Sequence, residues 1–245
     1  LCSFKTEREL FTTPVVFWPE KLRFENYKDA VTQIPFLRFS INTVYICILS
    51  ILGVLLSGSM VAFSVSKLKW RGSGIVFTLV IASMMIPYQV TMIPIYMAWN
   101  GLGLVDTYVP LILPCFFAPS LYVFLLRQFF LTIPDEMLES ARIDGAGYFR
   151  IYAEIMLPLC SNAMVAYGIF ALLGQWNELM WPMTMTSSDR VRVLSLALSS
   201  MQGQVATENN LIMAGAVMAT LPMIVVFIVG QRSLMEGIAL GGLKA

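Results

Sequence analysis

Apolar residues in this chain come in long runs, separated by short clusters of charge. Stretches free of Asp, Glu, Lys and Arg span 28 residues between Arg38 and Lys67, 34 between Arg71 and Asp106, and 20 between Asp106 and Arg127. Two more span 23 residues each, between Glu154 and Glu178 and between Glu208 and Arg232. A helix needs about 20 apolar residues to cross the hydrocarbon of a bilayer, so each stretch holds one span. The longest does not hold two, because Pro87, Pro94, Gly101 and Gly103 interrupt it. The runs are continuous rather than alternating, which favours helices over the strands of a barrel. The pattern predicts an all-α, polytopic membrane protein with spans near 42–64, 74–97, 108–127, 156–177 and 209–231. The uncharged run 193–207 is too short and too rich in Ser and Gln to be a sixth. Prolines 87, 94, 110, 114, 119 and 222 fall in or beside spans. Ordinary kinking and breaks that shape a pathway or hinge both remain open for them.

The flanks differ from the spans. Residues 1–40 carry mixed charge (Lys5, Glu7, Arg8, Glu9, Glu20, Lys21, Arg23, Glu25, Lys28, Asp29) and read as a water-facing leader rather than a signal peptide. The loop from Lys67 to Arg71 holds three basic residues and no acid, which places 65–73 in the cytoplasm. Alternation then puts 128–154 and 233–245 inside, and 1–40 and 178–208 outside. The chain thus divides into an extracytoplasmic leader (1–40), a transmembrane domain (41–232) and a cytoplasmic tail (233–245).

Composition narrows the chemistry. The chain is 58% hydrophobic and 13% charged, with a mean hydropathy of +0.74, against roughly 25% charge in soluble domains. A net charge of +1 supplies no field for nucleic acid. The chain has no histidine, so the usual general base and zinc ligand are missing. Cys2, Cys47, Cys115 and Cys160 are scattered without a C-x-x-C pair and read as small packing residues. No catalytic group, metal site or bound cofactor is expected in this chain.

The most distinctive stretch is a polar island between the third and fourth spans. Thr132-Ile133-Pro134-Asp135-Glu136 is a helix start, with Pro at the first helical position and acids in the first turn. Asp144-Gly145 stops that helix. A second amphipathic helix runs from about Tyr148 into the next span, with a bend expected at Pro158. A helix, a Gly corner and another helix suit a soluble partner that seats them in a groove. Capping and turn logic alone would equally fit a surface loop that touches nothing.

Spacing adds what capping cannot. Glu139-x-Ala141-x-x-Asp144-Gly145-Ala146, followed by Ile155-x-Leu157-Pro158, resembles the E-A-A-x-x-x-G signature of bacterial ABC importer permeases, in which nine residues separate the Gly from I-x-L-P. Ser140 stands where Ala is usual. Ser3 to Thr6, Glu25-Asn26-Tyr27, Pro87 with Ile93-Pro94, Gly101 to Leu104, Arg127 to Phe130, Trp176-Asn177-Glu178, Gln202-Gly203-Gln204 and Gly237 to Lys244 resemble the carbohydrate-uptake branch, of the maltose and glycerol-3-phosphate type. They match the smaller of its two permease subunits. The resemblance implies the type I importer fold with six spans. The helix expected before Ser3 is missing, which points to a shortened reading frame rather than a natural five-span protein.

The resemblance also implies a mechanism without covalent chemistry. This chain would form the path with a second, homologous permease subunit. A cytoplasmic ATPase dimer would bind ATP and Mg, and an extracytoplasmic solute-binding protein would deliver a sugar. The ATPase-coupling residues would be Glu139, Ser140, Ala141, Asp144, Gly145 and Ala146. Gly241, Gly242 and Lys244 would form an extended tail reaching the ATPase. Trp176, Asn177 and Glu178 close the fourth span as sugar contacts, interface anchors or gate residues, and Tyr88 and Gln89 are polar where lipid-facing residues should not be. Asn42 is a weaker case of the same kind. The expected location is the bacterial cytoplasmic (inner) membrane, among lipid. A permease for an amino acid or peptide is disfavoured by the leader and the Gly101–Leu104 patch. A secondary transporter would need ionisable groups within spans, and a membrane enzyme would need a base.

Overall fold

The computed structural model describes residues 1–14, 16–204 and 208–242, with only the backbone for 202–204 and 236–242. The principal helices are α1 (Glu25–Gln33), α2 (Phe36–Lys67), α3 (Ser73–Met84), α4 (Tyr88–Gly101), α5 (Ser120–Leu131), α6 (Asp135–Ile143), α7 (Ser161–Asn177), α8 (Leu194–Gln204) and α9 (Asn209–Gly242). Among the described residues there is no strand.

Three helical segments are long and apolar enough to cross a membrane unbroken: Phe36–Lys67, Val109–Leu131 and Asn209–Met235. Two more are bent pairs, and counting each pair as one span gives five. The first pair, α3 and α4, turns by 99° at Met85–Pro87. Pro87 lacks an N–H and disfavours helical backbone at Ile86, so the helix stops and a new one starts at Tyr88. Of the two readings open for Pro87, a kink or a break, the structure makes a break with a sharp corner. The second pair, Tyr148–Leu159 and α7, bends by 78° around Cys160. Tyr152–Met156 forms a π turn just before Pro158. Widening this turn gives room for a ring that would press on the preceding turn of an α-helix.

Helix α2 is the centre of the bundle, against which α5, α7 and the short Leu113–Phe116 turn pack. Its small residues allow close approach: a Cβ at Gly53 would lie 2.6 Å from the Phe116 ring. Ser57 repairs the break ahead of α5. Its Oγ donates to the Gly53 carbonyl at 2.7 Å and accepts from the Ala118 N–H at 3.0 Å. The largest buried cluster joins Phe63, Leu126, Phe130, Ile151, Tyr152 and Met156 near one end of α2. By contrast, α3 and α4 bury no residue, although mostly apolar, and α4 rests Met92, Tyr96 and Trp99 on the Ile46–Trp181 cluster, which leaves their other faces for lipid or another membrane subunit.

Each end of the bundle gathers its own loops. At one end, 67–69 meets the start of α6. At the other, the leader is pinned to the head of α9. Asn26 donates to the carbonyls of Ser3 and Lys5, Glu7 accepts from Asn209, and Gln33 donates to Glu208. Cys47 and Cys160 are buried as free thiols, Cys115 is half-buried and Cys2 exposed.

Candidate functional site: a braced helical corner and a recess among broken spans

The polar island folds into a helix, a corner and a helix. Pro134 is the N-cap of α6 rather than its first helical residue, and Asp135 and Glu136 fill the first turn. Gly145 turns the chain with φ +85, while its N–H reaches the Arg142 carbonyl at 3.0 Å and Ala146 N–H reaches Ala141 at 2.9 Å. Only glycine adopts that backbone without cost. Ala141 and Ala146 are half-buried against the Phe63–Tyr152 cluster, so the small residues hold the corner down on the bundle. Glu139, Ser140, Asp144 and Gly145 are exposed. The Ser140 hydroxyl donates back to the Glu136 carbonyl at 2.8 Å. That bond keeps the side chain on its own helix, so the departure from Ala leaves the outer profile small.

Two features of this corner escape a reading of the sequence alone. Ile143 is 86% exposed and Phe149 74% exposed, one on each side of the glycine. Apolar side chains held out from a polar loop are what a partner's cleft would bury. The second is a brace under α6. Lys67, the last residue of α2, has a side chain only 3% exposed; its Nζ donates to Asp135 Oδ1 at 2.7 Å and to the Ile133 carbonyl at 2.6 Å. Lys69 takes the other carboxylate oxygen at 2.7 Å. These hydrogen bonds, Lys67 first, hold the Asp135 carboxyl down at about 2. Lys at the end of a span followed by Asp after Pro134 is the only hint in the sequence, because 68 residues separate the partners.

The residues expected along a path separate into two groups. Tyr88 and Glu178 come together with Gln175 and Trp181 around a recess of about 270 Å³. Glu178 Oε1 accepts from the Trp181 backbone N–H at 3.2 Å. The Tyr88 and Trp181 rings meet edge to face at 5.8 Å, and Trp181 Nε1 donates to the Pro110 carbonyl at 2.8 Å. Trp176, in contrast, is 7% exposed beside Phe39, Cys47 and Leu194, and its indole N–H is spent on the Ala219 carbonyl. Asn177 donates to Leu173 on its own helix, and Gln89 is exposed away from the recess. Asn42 is fully occupied too: it donates to the carbonyls of Arg190 and Arg192 and accepts from the Tyr108 hydroxyl. The backbone of α9 stays helical through Gly241 and Gly242, where extended chain was expected. Lys244 lies outside the described residues. No group of three or more Cys, Asp or Glu that could hold a metal occurs among the described residues.

The model of the family described as the binding-protein-dependent transport system inner membrane component matches residues 42–238. The chain belongs to this family. It is therefore a permease component of a binding-protein-dependent transport system, located in the inner membrane. The chain is 32% identical to the arabinooligosaccharides transport system permease protein AraQ of Halalkalibacterium halodurans, over 100% of this chain and 88% of that one. It is 35% identical to the putative ABC transporter permease protein ORF2 of a Caldicellulosiruptor species, over 99% and 88%. With the sn-glycerol-3-phosphate transport system permease protein UgpE of Brucella abortus it shares 29%, over 97% and 87%. In fold, the permease superposes on a chain of a bacterial ABC transporter that imports the acidic polysaccharide alginate. That match has a TM-score of 0.82 at 21% identity and covers 94% of this chain and 86% of the other. The bundle thus has the fold of an ABC importer permease, and the all-α polytopic reading holds.

Proposed function

We propose that this permease carries a saccharide inward, in a complex with a second permease subunit, an ATPase dimer and an extracytoplasmic binding protein. Coupling runs through the 134–154 corner. ATP and Mg act on the ATPase, and this chain supplies path and linkage. The observation that carries the reading is the corner itself: two exposed apolar side chains, Ile143 and Phe149, flank a left-handed glycine on a helix ionically braced to the longest central span. A protein cleft that takes such a helix gains about 2 kcal/mol for each large apolar side chain it buries. Closure of the ATPase then moves α6, and α6 moves α2 through Lys67. In this reading Glu139 and Asp144 are exposed contacts for the ATPase, and the end of α9 with Gly241 and Gly242 reaches towards it. A saccharide cargo is supported by the similarity to AraQ over the whole chain.

The test is Ile143→Glu and Phe149→Glu, singly, in the assembled importer. Each should leave the amount of membrane-inserted protein unchanged, reduce co-purification of the ATPase at least tenfold, and abolish sugar uptake. Normal ATPase recovery with both variants would exclude the corner as the coupling surface.

A further inference from the structure

The recess around Tyr88 and Glu178 has a composition that fold maintenance does not explain. Three interruptions of spans converge on it: Tyr88 follows the corner at Pro87, Pro114 sits in the broken segment ahead of α5, and Glu178 ends α7 in extended backbone. Non-helical backbone at membrane depth is tolerated where it lines a wet cavity, and discontinuous helices build solute sites in transporters. Its polar groups are also unspent. The Tyr88 hydroxyl, the Gln175 amide and Glu178 Oε2 make no hydrogen bond to protein among the described residues. Glu178 has no ion-pair partner there either. A half-buried carboxylate without a cation is retained at a cost that a ligand would offset. Beside it, the Trp181 ring is buried with Ile46, Leu111 and Met185 and bonded to Pro110, and its edge backs the exposed Tyr88 ring.

A half-exposed phenol ring, Tyr88, edged by a carboxylate and an amide fits the faces of a sugar. Ring C–H groups lie on the phenol ring, and hydroxyls donate to the carboxylate in charge-assisted bonds. The recess lies just under the usual volume range for drug-sized ligands, which suits one ring rather than a whole oligosaccharide. We propose that this recess is a subsite for one uncharged sugar ring of the cargo, and that Glu178 turns away solutes bearing a carboxylate or phosphate at that position. The proposal rests on the saccharide-import reading above and adds to it the charge class of the cargo. An anionic group within about 5 Å of Glu178 would be disfavoured at least tenfold at the effective dielectric of a partly wetted site. Among its relatives and fold neighbours, the permease resembles proteins whose names specify both uncharged and anionic solutes. Glu178 places this chain with the uncharged group.

Cys115 lines the same recess and supplies a native reporter. The assembled importer in nanodiscs, without binding protein, is treated with N-ethylmaleimide, and alkylation of Cys115 is followed by peptide mass. Arabinotriose or maltotriose should slow the reaction, whereas trigalacturonic acid should need at least tenfold more for equal protection. Glu178→Gln should shrink that gap to threefold or less. In vesicles with binding protein added, the same variant should lower neutral trisaccharide uptake about tenfold. Equal protection of the native complex by the acidic trisaccharide overturns the proposal. So does unchanged uptake by Glu178→Gln, which decides the matter even if Cys115 does not react. Uptake of a neutral trisaccharide with no protection by it removes the subsite and leaves the import reading intact. Failure to take up any saccharide, whatever happens at Cys115, refutes the import reading itself.

Discussion

Replacing Asp135 by Asn should damage the protein more than replacing Lys67 by Met, although each removes the same ion pair. The reason lies in where the two charges sit. The Lys67 side chain is 3% exposed, and Asp135 is 42% exposed with Lys69 as a second cation. Asp135→Asn therefore strands a buried ammonium without a counter-charge, its acceptors reduced to the Ile133 carbonyl and a neutral amide oxygen. Two charges about 3 Å apart attract by about 5 kcal/mol at an effective dielectric of 20. Water at the half-exposed carboxylate and the competing Lys69 reduce this to about 3 kcal/mol, the low end for breaking a buried pair. Lys67→Met removes the charge together with its desolvation cost. Asp135 keeps Lys69, a surface pair of small worth, and the main loss is a donor to Ile133, about 1 kcal/mol. The double variant leaves no stranded charge and should also lose about 1 kcal/mol. Single effects of about 3 and 1 kcal/mol thus combine to about 1 instead of 4, a coupling of about 3 kcal/mol. SDS titration of the purified protein in mixed micelles, followed by circular dichroism, measures all four forms. Equal single effects that simply add in the double variant would refute the reasoning.

Other outcomes follow from single features. The Asp135 carboxyl is lowered from 3.8 to about 2, so its pairing stabilises fully above about pH 4 and is lost as pH falls from 4 towards 2; the loss of midpoint over that window should be smaller in Asp135→Asn than in the native chain. Gly145→Ala meets no atom within 4 Å, so its cost is backbone strain of about 1 kcal/mol at φ +85. Gly145→Asn should fall between the two, and ATPase co-purification should rank Gly, Asn, Ala; an alanine variant that recruits normally would exclude a role for the corner's geometry. Gly53→Ala drives a methyl to 2.6 Å from the Phe116 ring and should cost about 1–3 kcal/mol in the same micelle titration, with Phe116→Leu restoring most of it.

The spans and the corner were legible because both depend on local pattern. Charge-free runs marked where helices could lie in lipid, and the register from Glu139 to Pro158 identified the corner. What stayed hidden depended on distant neighbours. Proline at 87 announces a missing N–H, but the residue type does not say whether the chain kinks or turns through 99°. Polar residues in apolar runs looked alike in sequence and proved different in use. Asn42 and Trp176 spend their hydrogen bonds on carbonyls at Arg190, Arg192 and Ala219, whereas the Tyr88 hydroxyl and Glu178 Oε2 make none to protein among the described residues. Trp181, three residues beyond the motif, was overlooked because its partner Pro110 is 71 positions away. The resemblance and the paired glycines pointed to an extended tail, whereas the cooperative 34-residue helix continues through Gly241 and Gly242.

Helix α2 runs unbroken for 32 residues and is fastened near both ends, by Asn42 to the 190–192 loop and by Lys67 to Asp135. The two fastenings lie about 37 Å apart at 1.5 Å per residue, farther than the thickness of the hydrocarbon. The helix is thus a strut with a rivet on each face of the membrane, and its length is fixed by backbone hydrogen bonds. Torque applied at the lower rivet reaches the upper one as rotation or tilt of the whole member, with no slack to absorb it. Mechanical failure at either rivet should therefore look the same: motion at one end of the helix no longer reaches the loops at the other.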